Sequence, residues 1–262
     1  MIRIRSVKRY IHVARGIVES IIGKDKIKSI VLFGSFARNE ARKNSDVDLL
    51  FIVSRNTPEE LISKARKKLY LLSVKTNPQF GEGFFSKMLW SLNMNTGIKI
   101  SGFVCGEDDI MKWNFPRIFG SNKLMSKLLA PRKAVLYTIR HSYKLLFGED
   151  IIAKIPQEKG NLEVDKLEIV KSFVMNTLLA LGGLLLTMLY EPAHIYCWEA
   201  MKWTLLAYSY AMRKKPNLRT IIRELRSEGI DVFYPSDGIE SEFYCINVLK
   251  KILKIHMALL KE

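Results

Sequence analysis

The sequence predicts two architectures in succession: a small α/β domain over residues 1–125, then an all-α helical bundle over residues 126–262. Three observations lead there. In the first hundred residues, short β-branched apolar runs alternate with segments of helical periodicity. Trp113–Asn122, which holds Pro116 and Gly120, breaks that pattern. Behind it no strand pattern returns, and long helical periods run to the end.

The elements follow in order. Residues 6–22 carry Tyr10, Val13, Ala14, Ile17, Val18 and Ile21 at helical spacing, and Gly23 ends the helix. Lys28–Phe33 is a short Ile/Val-rich strand closed by Gly34-Ser35. Phe36–Lys43 starts as a helical turn and becomes a charged loop. Val47–Val53 is a second strand, continuously apolar after Asp48, as expected of a strand buried on both faces. Thr57-Pro58-Glu59-Glu60 is a helix start, with a capping hydroxyl, proline at the first position and glutamate three residues past the cap. Phe84–Met94 reads as a short helix and Ile98–Cys105 as a third strand. Beyond the break, helices are predicted over Pro131–Phe147, Val164–Tyr190, Pro192–Met212, Leu218–Ser227 and from about Ser241 to Leu260.

Composition narrows the class. Residues 1–130 hold 23 Lys and Arg against 11 Asp and Glu, and the remainder 19 against 15, so the formal charge of +16 is concentrated in the first half. A basic first half suits phosphate-bearing ligands, although surface lysine also serves solubility alone. Cys105, Cys197 and Cys245 form no CxxC pair and no staple spacing, so a reducing cytoplasm is expected. Ser172–Tyr190 lacks charge for 19 positions, long enough to span a bilayer. Asn176, the Gly182-Gly183 pair and the charged helix that follows argue instead for a central bundle helix buried all round, with a membrane or oligomer contact as the alternative.

The chemistry sits between Ile30 and Leu50. A strand ends at Gly34-Ser35, where glycine admits close backbone approach and serine offers a hydroxyl. The N–H groups of the next turn favour a phosphate, and Arg38 lies one turn on. Asp46 and Asp48, with Ser45 ahead of them, open the second strand. Alternation places both carboxylates on one face, where they repel unless a cation lies between them. Mg²⁺ takes such oxygens together with phosphate oxygens. Asp-x-Asp or Gly-Ser alone would mean little; here each follows a strand or opens one, with ten residues between Ser35 and Asp46.

This segment resembles the hallmark of the nucleotidyltransferase superfamily, which includes DNA polymerase beta, aminoglycoside nucleotidyltransferases and CCA-adding enzymes. The pattern falls on Gly34, Ser35, Asp46 and Asp48, and the element order suits the family over about residues 6–110. Tyr143–Ile151 is similar to a stretch that often follows this domain, and the helical half is similar to the helical partner domains of such proteins. The resemblance implies a small mixed sheet and transfer of a nucleoside monophosphate from an NTP, ATP first, to an acceptor hydroxyl. It implies Mg²⁺ held by Asp46 and Asp48, phosphates at Gly34 and Ser35, and support from Arg38 and Ser45. The acceptor, whether small molecule, RNA or protein, is left open.

The family's third carboxylate would stand on the strand Ile98–Val104, and the matching residue is Ser101. A serine cannot serve as a carboxylate base, and loss of a base slows transfer by about 10²–10⁴-fold. Three accounts stand. Glu107, Asp108 or Asp109 folds back into the place; the fold keeps nucleotide and one-metal binding but is catalytically weak or dead; or the base comes from elsewhere, from a water or from the substrate. A rival from another class is a non-catalytic module that binds nucleotide, RNA or a protein partner through the basic first domain. Lys99 would share the face of Ser101.

Overall fold

The computed structural model describes residues 7–42, 45–76, 101–155, 165–187, 194–232 and 241–261. The expected helix Phe84–Met94, the start of the third strand and Lys99 lie outside these residues. By internal contact the chain divides into one unit of Met1–Ser126 with Ser142–Lys159, and a second of Lys127–His141 with Gly160–Glu262. The first unit therefore takes back a segment beyond the single boundary read near residue 125.

In the first unit, α1 (Val7–Ile22) leads through a short turn to β1 (Ile27–Phe33), then α2 (Gly34–Ala37), β2 (Asp48–Val53), α3 (Glu59–Thr76) and β3 (Gly102–Gly106). Short helices α4 (Glu107–Met111), α5 (Phe115–Phe119) and α6 (Lys123–Leu128) follow. The sheet is mixed, in the order β3-β2-β1-β4: β1 runs antiparallel to β2, and β2 parallel to β3. Leu49, Phe51 and Val53 join the core made with α1 and α3, while Leu50 and Ile52 are equally buried on the other face. The uninterrupted apolar run of β2 is thus a strand covered on both sides, as its sequence predicts. Phe33, Phe103 and Phe119 form an aromatic row, with centroids 5.9 and 5.1 Å apart. Arg66 on α3 donates from Nε to the Val104 carbonyl at 2.7 Å, tying helix to strand.

The fourth strand corrects the sequence reading. Residues expected to prolong a helix to Phe147 instead form β4 (Lys144–Gly148), antiparallel to β1. The preceding helix, α7 (Arg132–Ser142), stops before it. Among the described residues β4 is an edge strand paired with β1, and Leu145 and Leu146 stay exposed. Its run is too short and too mixed to show a period of two, and only pairing with a distant strand defines it. Phe147 anchors it to the core, with the Arg15 guanidinium 4.4 Å over its ring. Asp150 then caps α8 (Ile151–Lys154) by accepting from the Ala153 amide.

The second unit contains α7, α9 (Lys166–Thr187), α10 (His194–Ala211), α11 (Leu218–Ser227) and α12 (Ser241–Lys261). Its central element is α10: Cys197, Ala200, Met201, Leu205 and Leu206 are buried with Tyr196, Tyr208 and Tyr210. The expectation that α9 is the all-round buried helix is overturned. Its inward residues are Glu168, Ile169, Ser172, Asn176, Ala180, Gly183 and Thr187. Leu167, Val170, Val174, Leu178, Leu181 and Leu185 are exposed along its other side. Small residues decide which side packs: a Cβ on Gly183 would lie 2.8 Å from Cys197 Sγ, so α10 approaches too closely for a larger side chain. By length and composition, α9 could also cross a membrane.

Buried polar groups join three of these helices. Asn176 Nδ2 donates to Ser172 Oγ and to Thr204 Oγ1, each at 3.1 Å. His256 Nε2 lies 3.4 Å from Ser172 Oγ, and its Nδ1 lies 3.0 Å from the Ile252 carbonyl. Burial lowers the pKa of His256 to about 4. Cys197 on α10 and Cys245 on α12 form a disulfide, Cα–Cα 5.5 Å, which corrects the unpaired reading of these cysteines. Their separation of 48 residues carries no local signature; the helix packing brings them together. Cys105 stays a buried thiol, its pKa pushed up to about 12 by burial.

Candidate active site

The site is built where β1 ends and β2 begins. Register pairs Phe33 with Asp48, so the turn at Gly34 passes directly beside the first residue of β2. Gly34 has φ +71, in the left-handed region that suits glycine. A Cβ placed on it would sit 1.9 Å from Asp48 Oδ2. The carboxylate therefore occupies the space that the missing side chain leaves. Two residues earlier stands Asp46, half-buried like Asp48.

The remaining predicted residues brace this corner. The Ser35 carbonyl accepts from the Glu40 amide at 2.9 Å, closing the turn after α2. Arg38 Nε donates to Glu40 Oε2 at 2.7 Å, and the two side chains are 4% and 6% exposed. Arg38 is thus a strut of the turn through its Nε. The sequence reading missed this because Glu40 looked like part of a charged, solvated loop. Ser45 Oγ accepts from the Arg42 amide at 2.8 Å, and the Ser45 amide donates to the Arg42 carbonyl, which shapes the approach to Asp46.

Ser101 enters from the neighbouring strand. The Leu49 amide donates to its carbonyl at 3.0 Å, and the parallel register beginning at Leu49–Gly102 sets Ser101 beside Asp48. Ser101 is 4% exposed. The structure excludes the account in which a later acid folds back. Glu107, Asp108 and Asp109 follow the far end of β3, where Gly106 pairs with Val53. That end lies four residue steps beyond Gly102, about 13 Å at strand spacing. There Arg55 meets Glu107 and Asp108, and Arg117 and Asn114 meet Asp109. Among the described residues no group of three His, Cys, Asp or Glu side chains could hold a metal ion.

One residue of the corner escaped the sequence reading. Tyr10 belongs to the buried stripe Tyr10, Ala14, Val18, Ile22 of α1, and in the sequence it marks only helical spacing. Ser101, Asp46 and Asp48 all act electrostatically on its hydroxyl. Burial raises its pKa, and the two carboxylates add to the effect, so the group remains a protonated donor. Ser101 pulls the other way, although its side chain completes no well-aligned hydrogen bond with the phenol. The available signal was a polar-tipped residue heading an otherwise aliphatic stripe.

Residues 14–83 match the family model of the nucleotidyltransferase domain. This chain carries a nucleotidyltransferase domain. The fold agrees beyond the matched residues. A solved structure of spectinomycin adenyltransferase AAD(9) from Enterococcus faecialis, with ATP and spectinomycin, superposes with a TM-score of 0.52 at 13% identity. That match covers 98% of this chain and 100% of the other, so a helical region following a nucleotidyltransferase domain is common to both. No curated protein matches this chain in sequence. Within the nucleotidyltransferase domain, Gly34, Ser35, Asp46 and Asp48 stand on the two adjoining strand ends, and Ser101 joins them from β3.

Proposed function

We propose that this protein transfers a nucleoside monophosphate from an NTP, ATP first, to a hydroxyl of a small-molecule acceptor, with Mg²⁺ at Asp46 and Asp48. The observation that carries the reading is the Asp48 carboxylate seated in the space left by Gly34, with Asp46 two residues ahead. Two half-buried carboxylates supply hard oxygen ligands, which fits Mg²⁺ and leaves positions for phosphate oxygens. When bound there, the ion would neutralise charge on the triphosphate and on the departing pyrophosphate. The chain's own residues do the rest. Gly34 keeps Asp48 in place, the Arg38–Glu40 pair holds the turn, and the Ser35 amide and hydroxyl face the terminal phosphates. The full-length likeness to an adenyltransferase solved with ATP and spectinomycin supports ATP and a small hydroxyl-bearing acceptor.

The test is incubation with α-labelled ATP, Mg²⁺ and a panel of aminocyclitols and other polyols, reading nucleotidylated product by mass and pyrophosphate release. Product that disappears in Asp48→Asn supports the reading; absence of product with every acceptor counts against it. A second reading, nucleotide binding without efficient turnover, is favoured by Ser101 standing where a carboxylate base would serve. It predicts Asp48-dependent ATP binding without product.

A further inference from the structure

The second unit carries a basic segment that its own fold does not use. Residues 213–227 hold six Lys and Arg against one Glu, more than the whole excess of residues 131–262, which is 19 against 15. Lys214 meets Glu224, and Arg226 meets Asp231. Lys215, Arg219 and Arg223 are exposed, and among the described residues they meet no carboxylate.

Three features of this segment run against what a merely solvated surface prefers. Arg219 and Arg223 are i,i+4 neighbours on α11, where like charges weaken a helix. Arg219 stands in the first turn, beside the positive end of the helix dipole, which favours acids. Arg213 has φ +53, in the left-handed region that arginine rarely adopts. An anion along the stripe relieves the first two, and the third sets the Arg213 guanidinium 5.2 Å over the Tyr210 ring.

The surroundings select the kind of anion. Leu218, Ile221, Ile222 and Leu225 of α11 are buried in the bundle core, so the helix has no apolar side left to enter a lipid surface. Between His194 and Val232 no large apolar side chain is exposed, so an acidic protein would meet charge without the apolar centre that protein interfaces carry. A phosphodiester backbone needs charge alone, and the guanidinium fork matches phosphate oxygens. Next to the stripe stands a ring pair. Tyr137 and His141 on α7 have ring centroids 4.0 Å apart, and the Tyr137 hydroxyl donates to the Lys214 carbonyl at 3.0 Å. Tyr210 meets Tyr137 edge-on at 5.7 Å. His141 is exposed and can receive an unstacked base.

We propose that the second unit binds single-stranded nucleic acid, with phosphates along Lys215, Arg219 and Arg223 and a base on the Tyr137–His141 ring pair. The turn Arg213–Lys215 joins the two parts. The inference uses no residue of the Gly34–Asp48 corner and does not rest on the nucleotidyl-transfer reading.

The experiment uses the full chain with a fluorescein-labelled oligouridylate, a single-stranded DNA of the same length and a duplex, read by anisotropy in EDTA. EDTA removes the divalent cation proposed for Asp46 and Asp48, so metal-nucleotide binding there is not counted. The wild type should bind both single strands, with log affinity falling against log salt at a slope of about −2, the value for three phosphate contacts. Arg219→Gln with Arg223→Gln should weaken binding about tenfold or more, bring the slope to about −0.7 and keep or raise the thermal midpoint. His141→Ala should weaken the single strands about fivefold or more and leave the slope unchanged. Lys67→Gln with Lys68→Gln, which removes two exposed charges from α3, should leave the affinity within about twofold. No binding at low salt, wild-type affinity in the double arginine variant, or an equal loss in the double lysine variant would overturn the inference. A duplex bound as tightly as the single strands, with His141→Ala silent, would overturn it too, since the ring pair would then hold no base.

Discussion

Strand β2 and helix α9 each draw on a long uncharged apolar run, and the two runs end on opposite sides of the boundary with solvent. In β2, Leu49 to Val53 are buried on both faces, and the polar residues gather ahead of the strand, at Asp46 and Asp48. In α9 the buried side carries Ser172, Asn176, Gly183 and Thr187, while six leucines and valines face outward. A central strand has neighbours in its sheet and layers on both faces, so any apolar side chain finds cover. A helix can turn only part of its circumference toward a partner. Close approach to α10 selects the side with the smallest residues, whatever its polarity. The polar groups so enclosed must bond to one another, and the Ser172–Asn176–Thr204–His256 network is the result.

This contrast can be broken or sharpened by substitution. Phe51→Ala should have the largest effect, costing about 3–5 kcal/mol of the first unit's stability in urea denaturation, because the cavity opens in a strand covered on both sides. Gly34→Ala comes next. Its methyl group would displace the Asp48 carboxylate, and nucleotidyl transfer should fall by about a hundredfold or more, the scale of losing a positioned charge in a reacting site. Measured transfer close to wild type would mean that Asp48 is not held by the Gly34 turn.

The polar interior of the second unit makes a pH prediction. His256 has a folded pKa near 4 against an ordinary 6.5. Between these values the unfolded chain binds a proton that the folded chain does not. The stability owed to neutral His256 is whole above about pH 6.5 and is lost as pH falls toward 4, by roughly 3 kcal/mol at most. Urea midpoints measured across that window should show the slope in the wild type and a shallower one in His256→Gln. The smallest effect is expected on the outward side of α9. Leu178→Lys should change stability by less than about 0.5 kcal/mol, as for exposed positions generally, and should raise solubility. A loss as large as that of Phe51→Ala would show that this side is covered in solution.

The candidate site was legible because its parts are local. Gly34-Ser35 and Asp46-x-Asp48 lie within one strand–turn–strand unit, and short-range geometry leaves that segment few ways to fold. The β2 run announced its burial for the same reason. Arg38 was legible as a residue but not in its role, since its partner Glu40 sat in a loop that looked free. The helix Leu218–Ser227 was read with its bounds because Asn217 caps it and its apolar residues keep a single period. By contrast, β4 gave no signal, because an exposed edge strand shows neither alternation nor a continuous apolar run.

By itself, then, the sequence determined the order of the two architectures, the Gly34–Asp48 corner and the identity of Ser101 in the neighbouring strand. Backbone preferences and side-chain periodicity act over a few residues, and these features need no more. Tertiary structure alone decided that residues 144–148 return to the sheet, that Cys197 meets Cys245, and that α9 turns its small polar side inward. It also decided that Tyr10 on α1 comes within the electrostatic reach of Ser101 and the two aspartates. Each of these joins positions far apart in the chain, where only close packing, and no local preference, selects the partner.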